Sequence, residues 1–502
     1  MSNSASQINA NAKAAGSFYK VGLGTAVGAS ALLEQRITVL AEANTDKQSD
    51  AAQDNGELEP ITSKAVAEVY GYGSPAHLTA IALIDNLSVG VSTKFLFVPE
   101  AGVCTATSYE LAGTGTAVTK TGVLTLNFNG TYLPITLTSG DTLAEALVVI
   151  KTAINAQANF SSSVATVTPT TTIDIATKWK GVSSIGFQLS QYANTCTGLT
   201  FALTKTDGTG EVVPTTQLAK IQNDWYPHVL NCLGDGTAGA ILDAFETANG
   251  TFAAGTAKCS PVNMTPFRAW TGTHTSVLAT LQAVTSSRLD EETNVYIPFP
   301  SAQEFPFINA ANALGIFVNK SNGDPKQDIL EDVLSLSTIP EDKDVGDIIN
   351  YDFRDGLVGD GCSTVNVKEG NYYAGDIITT YHPSGETDPI FQYVRDNMLI
   401  FNLIYAFKQF NARQKNKTIA PNALPSAQIT SPALYKAGIL NEVIKPYVNA
   451  GYLADFDYAK DNIDVGINPT NAGRFDVLAP NLITSLLRIV ANEVQVNKYY
   501  NS

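Results

Sequence analysis

Charge, histidine and cysteine are all scarce in this chain, and each shortage removes a class of function. Only 16% of the 502 residues are charged, 31 Lys and Arg stand against 47 Asp and Glu, and the formal net charge is -16. Nucleic acid is therefore not expected as a partner, because phosphate contacts need clustered cations. The four histidines, His77, His228, His274 and His382, lie far apart, which gives a His-based metal cluster no local support. The five cysteines, Cys104, Cys196, Cys232, Cys259 and Cys362, are scattered singly without a CxxC pair. They read as buried reduced thiols and not as disulfides or zinc ligands. Long apolar runs are missing too: nothing approaches the roughly 18 residues a membrane span requires. The opening MSNSASQINANAKAAGSFYK has no charged n-region before an apolar one. The expectation is a chain made and kept in a cytoplasm, without membrane insertion.

What is present is apolar content, at 44% of residues, enough for about two to four globular domains. Residues 1–35 are rich in Ala, Ser, Asn and Gly and read as an N-terminal arm, with a short alternating patch at Tyr19, Val21 and Leu23. Residues 36–103 begin with a strand at Arg36–Glu42, cross an acidic loop from Asp46 to Glu59, and hold helices capped at Thr62 or Ser63 and at Ser74-Pro75. A buried strand is expected at Phe95–Val98. From 104 to 210 the composition turns to Thr, Ser, Gly and Val, which predicts an inserted β-rich domain. Asn129-Gly130 between two alternating runs predicts a type I′ hairpin. Thr142 and Glu145 form a capping box for a helix that buries Leu143, Ala146, Leu147, Ile150 and Ile154.

From 211 to 383 strand and helix patterns alternate, with strands expected at Trp225–Leu233 and Phe267–Thr271 and helices at Ala240–Ala248 and Val277–Val284. Such alternation predicts a mostly parallel, helix-covered sheet. The last part, 384–502, is expected to open a long helix at Asp388-Pro389, cap another at Ser431-Pro432 and close on a strand, Glu493–Asn497. The fold class is thus mixed α/β and multidomain, with a central α/β domain, an inserted β-rich domain and a C-terminal α+β domain.

Catalytic and cofactor chemistry finds little support. Gly234-Asp-Gly-Thr-Ala-Gly239 is a literal GxGxxG, but the acidic residue a ribose needs about 20 positions on is replaced by Lys258-Cys259-Ser260. A βα turn that requires positive φ explains the glycines better. There is no GxSxG elbow, and His228, His274 and Asp224 have no matching nucleophile motif. The acidic stretches Asp324–Asp332 and Glu341–Asp347 lack EF-hand spacing and read as solvated loops. No cofactor, metal or catalytic residue is expected. One charge pattern stands out: between Asp396 and Glu442 there is no acid, while Lys408, Arg413, Lys415, Lys417 and Lys436 are present. That basic island suits an acidic partner, and equally a solvated helix end whose cations favour the C-terminal dipole.

The order of segments resembles the tail sheath proteins of contractile-tailed phages, specifically the Mu-like group. Gly16-Ser-Phe-Tyr19 with the strand at Ile37 looks like the family's arm and first core strand. Pro60-Ile-Thr-Ser63 through Tyr70-Gly-Tyr-Gly-Ser74 resembles its capped helix and "FGxGS" turn. Gly361-Cys-Ser-Thr-Val365, Gly375, the expected strand Ile378-Thr-Thr-Tyr381 and Asp388 follow its "GxSTV … ITTY … D" succession. Lys415, Ile429-Thr-Ser-Pro432, Gly438-Ile-Leu440, Gly451-Tyr-Leu453, Gly473-Arg-Phe-Asp476 and Leu478-Ala-Pro480 continue the likeness. The arm is longer than the family's and the loop at Asp46–Glu59 more acidic.

The resemblance implies a structural subunit, not an enzyme, with a central domain of subtilisin-like topology that lacks the catalytic motif. It implies hexameric rings of this chain stacked helically around a tail tube, contacts to baseplate and tail-terminator proteins, and contraction that drives the tube through a target envelope. The particle would be a virion tail, a tailocin or an extracellular injection device, assembled in the host cytoplasm. Terminal strands exchanged between subunits would come from Phe18, Tyr19, Val21 and Leu23 and from Glu493, Val494, Gln495, Val496 and Lys498. Tube-facing candidates are Lys408, Arg413, Lys415 and Lys417 as one set and Arg474, Arg488 and Lys498 as another. The rival classes are an α/β hydrolase, which needs a nucleophile with a base, and a monomeric adhesin that uses the Thr-rich insert.

Overall fold

The computed structural model describes residues 32–53, 57–58, 62–87, 91–164, 171–220, 226–233, 265–272, 294–300, 302–334, 351–383, 389–422 and 428–488. The chain divides into two compact units, Glu34–Phe401 and a smaller one made of Met1–Leu33 with Asn402–Ser502. The larger unit opens with β1 (Arg36–Ala41), β2 (Glu57–Leu58) and β3 (Ser92–Phe97). It then carries β4 (Ser108–Thr114), β5 (Gly122–Phe128), β6 (Thr131–Leu137), β7 (Ser162–Ser163), β8 (Thr172–Thr177), β9 (Leu189–Asn194) and β10 (Thr200–Thr206). Its later strands are β11 (His228–Asn231), β12 (Thr265–Gly272), β13 (Val295–Pro300), β14 (Val333–Leu334), β15 (Val365–Lys368) and β16 (Asn371–Ala374).

The main sheet has the order β13-β12-β11-β1-β3-β2. All its pairings are parallel except β2 with β3 at the edge. β1 lies in the middle and is buried from Ile37 to Ala41, the apolar run of a strand covered on both faces. In register, Ile37 pairs with His228, Val39 with Phe95 and Ala41 with Phe97, so these residues share one face. Among the described residues, three helices cover that face. Tyr70, at the end of helix Ser63–Tyr70, sets its ring 6.1 Å from both Phe95 and Phe97. Thr79 of helix Pro75–Asn86 lies 3.3 Å from the Cys232 thiol, and Phe317 of helix Pro306–Gly323 lies 5.9 Å from the His228 ring.

Between β3 and β11 the chain builds two antiparallel sheets, β10-β4-β8-β7 and β6-β5-β9. The β5–β6 hairpin turns at Asn129 and Gly130, with φ of 47° and 89°, as the Asn-Gly pair predicts. Helix Leu143–Asn155 begins at the expected box: Glu145 N donates to Thr142 Oγ1 (3.3 Å) and Thr142 N to Glu145 Oε2 (2.8 Å). Its predicted face, Leu143, Ala146, Leu147, Ile150 and Ile154, is buried.

The smaller unit contains most of helix Val394–Gln414, the short pairs β17 (Thr418–Ile419) with β18 (Ile429–Thr430) and β19 (Asp464–Ile467) with β20 (Phe475–Leu478), and helices from Pro432 to Asn462. Ser431 caps the helix at Pro432 as expected. The helical run widens to a π turn at Leu440–Ile444 just before Pro446, whose missing N–H and ring exclude an ordinary bond to residue 442.

Three expectations need correction. The long helix begins at Val394, not at Asp388-Pro389, because the backbone of 391–393 is engaged elsewhere: Thr379 N donates to Gln392 O (2.7 Å) and Ile378 bridges Tyr393. Among the described residues, Ile378–Tyr381 makes that bridge instead of a strand. The strand expected over Trp225–Leu233 is confined to His228–Asn231. The helices expected at Ala240–Ala248 and Val277–Val284, and the strands at Tyr19–Leu23 and Glu493–Asn497, lie outside the described residues.

Leu147 is fully buried whereas the Thr142 cap is exposed. Leu147→Ala should therefore cost about 2–5 kcal/mol and Thr142→Ala about 1 kcal/mol in urea denaturation. A larger loss for the cap variant would show that the buried face is not what holds this helix.

Candidate functional site

An open parallel sheet offers a ligand crevice where strand order reverses, and here that point lies between β1 and β11, beyond their C-terminal ends. Glu42 follows β1 directly, is 1% exposed, and accepts a hydrogen bond on Oε2 from Ser183 of the insert. Ser183 Oγ in turn accepts from Trp179 Nε1 (3.0 Å), and the fully buried Trp179 ring packs 5.4 Å from Phe305. Burial pushes the Glu42 carboxyl up to about 8, the Ser183 bond works against that rise, and the Glu100 charge adds to it. The crevice holds protein side chains. The GxGxxG segment Gly234–Gly239 lies outside the described residues.

The histidines sit as core or turn residues. His228 Nε2 is 2.7 Å from Gln35 Oε1, and burial lowers its pKa to about 3. His77 Nδ1 accepts from Gly73 N (3.0 Å), and burial with the nearby Lys178 charge lowers its pKa. His382 contacts Thr380 O, while His274 and Asp224 lie outside the described residues. Cys104, Cys196, Cys232 and Cys362 are buried free thiols, and burial pushes Cys232 up to about 12. Cys259 and the stretch Glu341–Asp347 are not among the described residues. Within Asp324–Asp332 three of the four acids pair with lysines, Asp324 with Lys326 (3.5 Å), Asp332 with Lys320 and Glu331 with Lys368, while Asp328 Oδ1 accepts from Ile329 N (2.7 Å). Among the described residues no group of His, Cys, Asp and Glu could hold a metal ion.

The Gly361–Tyr381 motifs are a knot of buried hydroxyls bonded to backbone. Ser363 Oγ donates to Ile378 O (3.0 Å) and accepts from Ile378 N (2.9 Å). Thr364 Oγ1 accepts from Asp376 N (3.0 Å), and a Cβ on Gly375 would lie 2.2 Å from that oxygen. Ser363 N and Thr380 N then join the end of the main sheet at Tyr296 O (3.0 Å) and Asn294 O (2.8 Å). Small residues at this spacing are thus demanded by close backbone approach.

In the smaller unit β19 and β20 form a two-stranded sheet with no third strand among the described residues. Val477, Leu478, Leu482, Leu486 and Leu487 are exposed, Leu478 at 67% and Leu487 at 78%. The predicted basic sets surround this region in sequence, but part of their charge is neutralised. Arg413 pairs with Glu442 (2.7 Å), the acid that closes the acid-free interval, and Arg474 with Asp476 (2.6 Å). Lys417 Nζ donates to the neutral Gln414 Oε1 (2.8 Å), Lys436 Nζ donates to Ile463 O (2.6 Å), and Lys408 and Lys415 are exposed. Arg488 is the last described residue. Phe18, Tyr19, Val21, Leu23, Glu493, Val494, Gln495, Val496 and Lys498 lie outside the described residues. Sequence reasoning missed Glu42 and the apolar segment at Val477–Leu487; the second was legible as four leucines on a Pro- and Asn-interrupted stretch.

No family model and no curated protein matches the sequence. Among solved structures, the chain is similar to the sheath tail protein of Desulfitobacterium hafniense at 10% identity and a TM-score of 0.43, over 93% of this chain and 100% of that one. It is similar to the sheath tail protein of Listeria innocua at 9% identity and 0.42, over 90% and 95%. A third likeness is to the contracted helical sheath of the anti-feeding prophage, at 12% identity and 0.36, over 56% and 74%. These neighbours are tail sheath proteins. With TM-scores below 0.5, the likenesses carry no weight in assigning a function to this chain.

His228 is a neutral buried base that binds its proton only near pH 3, whereas the unfolded chain binds it near 6.5. Stability should fall by about 1.4 kcal/mol per pH unit from this group as pH drops below 6.5. His228→Gln should flatten that slope in urea titrations between pH 7 and 4. Equal slopes for both proteins would mean that the imidazole is not held neutral.

Proposed function

We propose that this chain is the sheath subunit of a contractile tail, a protein that polymerises around a tube and shortens. The observation that carries the reading is the incomplete hairpin β19–β20 with its apolar continuation, placed within the segments that carry the family-like motifs. The ribbon rests on the helix at Pro432 through Phe475, 5.0 Å from the Tyr435 ring, but among the described residues its strand edges have no third partner, and an unpaired edge accepts a further strand. Copies of the same chain can supply such strands from Phe18–Gly24 and from Glu493–Lys498, both short, alternating and terminal. Main-chain bonds would then persist between subunits while the globular parts repack.

On this reading the subunits form hexameric rings stacked helically around a tube protein, bounded by baseplate and terminator proteins, and contraction drives the tube through a target envelope. A phage tail, a tailocin and an extracellular injection particle use such a subunit alike. The tube contact falls to cations with charge to spare, Lys415 and Lys417 foremost, since Arg413 and Arg474 already have carboxylate partners. Exposed ion pairs of about 0.2–1 kcal/mol each can be broken when the sheath shortens.

Deleting residues 493–502, or the double change Val494→Asp with Val496→Asp, should abolish long cylinders in negative-stain micrographs while the monomer stays folded. Normal cylinders from either variant would sink the reading. Lys415→Glu with Lys417→Glu should leave cylinders intact and reduce co-sedimentation with the tube by about tenfold, the scale of two lost pairs with repulsion added; unchanged co-sedimentation would discard the electrostatic contact.

A further inference from the structure

The joint between the insert and the main sheet contains two ionisable side chains that the proposed assembly does not use. Lys178 Nζ donates to the carbonyls of Tyr72 (3.1 Å) and Ala158 (2.8 Å), and Lys178 O accepts from Thr45 N (2.8 Å). Farther along the same segment Ser183 Oγ donates to Glu42 Oε2, and Glu42 Oε1 has no hydrogen-bond partner among the described residues. Trp179, between the two attachments, is fully buried. Besides the bonds of Asn127 and Asn129 to Gln303, the insert is therefore fastened to the body by one buried carboxyl and one half-buried amine.

We infer that Glu42 and Lys178 make this joint a pH-responsive clasp, loosest in mildly alkaline solution and tighter on either side. Opening the joint returns both groups to water, so each contributes through the difference between its closed and open proton affinity. Closed Glu42 is raised from 4.5 to about 8, chiefly by burial. Its contribution is complete below pH 4.5, declines as pH rises, and is gone above about 8. Closed Lys178 is lowered from 10.5 to about 8 by burial, against a smaller opposing pull from Asp46. The open form then binds more protons between 8 and 10.5, so closure becomes more favourable as pH climbs through that range. The two limbs meet near pH 8.

The other groups around the joint fit this sign. Glu100 faces Glu42 and is itself held by Thr45 Oγ1 (2.8 Å), Lys180 N (3.1 Å) and, at 3.9 Å, Lys180 Nζ. Cys232 faces Glu42 from the end of β11 and stays in the sheet when the joint opens. His77 faces Lys178 from helix Pro75–Asn86 and keeps its Gly73 bond there. Cys104, also near Glu42 and raised by burial, opposes the alkaline limb above pH 9.0, and Cys104→Ala removes that opposition.

The test uses the full-length chain in the Cys104→Ala background, with amide hydrogen exchange normalised to intrinsic rates from pH 5 to 10.5. Protection of residues 42–46 and 178–186 should pass through a minimum near pH 8, at least about tenfold below its value at pH 6, while helix Leu143–Asn155 shows none. Glu42→Gln should flatten the acidic limb and Lys178→Met the alkaline one. Ser183→Ala, which keeps the acid but removes the bond that lowers its pKa, should move the minimum to higher pH. Protection that changes in one direction only, a minimum that survives Glu42→Gln, or one that Ser183→Ala leaves in place would each overturn the clasp. The outcome is independent of the sheath reading, because a monomer suffices to show it.

Discussion

Strand β1 has to be satisfied on both edges and both faces at once, and much of the larger unit follows from that demand. Its edges pair with β3 and β11, which are separated in the chain by the whole insert. The insert therefore leaves just after one neighbour of β1 and returns just before the other. The chain re-enters the sheet at the N-terminal end of β11, whereas the insert's departing stem leaves β3 beside the C-terminal end of β1, where Glu42 and Thr45 meet Ser183 and Lys178. A ligand crevice and an insert joint compete for that place, and in this chain Trp179 and Ser183 occupy it. The neutral state of Glu42 is a consequence: a carboxyl sealed beneath a tryptophan is cheaper to protonate than to keep charged.

The smaller unit follows a different logic, that of a sheet left unfinished. Its core is sound where helices meet: Phe410, Ile439, Val443, Ile444 and Tyr447 are buried, and Tyr447 OH donates to Asn402 O (2.8 Å). Gly438 lets a helix approach the Phe410 ring so closely that a Cβ there would lie 2.8 Å from it. The β19–β20 pair touches the helices through Phe475, 5.0 Å from Tyr435, and Leu482–Thr484 bond to Tyr452–Ala454, yet Leu478, Leu482, Leu486 and Leu487 remain exposed. Natural monomers avoid contiguous patches of that kind unless a partner uses them.

What the sequence made legible was local. The Thr142–Glu145 box, the Asn129-Gly130 turn and the Ser74-Pro75 and Ser431-Pro432 starts each depend on residues within a few positions of one another, and each is found in the structure. Readings failed where distant backbone intervened. Asp388-Pro389 looks like a helix start, yet Thr379 claims the carbonyls of Phe391 and Gln392 and delays the helix to Val394. The acid-free interval from Asp396 to Glu442 looks like a free basic face, yet Glu442 folds back onto Arg413. Glu42 ends an apolar strand in sequence, and nothing adjacent to it announces a buried carboxyl. The resemblance was legible for a related reason: Ser363, Thr364 and Gly375 are restricted by contacts only small side chains can make.

Magnitudes decide which contacts a contracting sheath could keep and which it could release. Fully burying a leucine stabilises by about 1.5–3 kcal/mol, so Leu478, Leu482 and Leu487 on a neighbouring copy would together outweigh several exposed ion pairs of about 0.2–1 kcal/mol. Added main-chain bonds strengthen the same contact without depending on salt. A basic face bound to a tube through Lys415 and Lys417 loses strength as ionic strength rises, because its charges stand in water. Under the proposed function, then, the apolar, strand-sharing contact between copies is the one that endures, and the electrostatic contact to the tube is the one that yields.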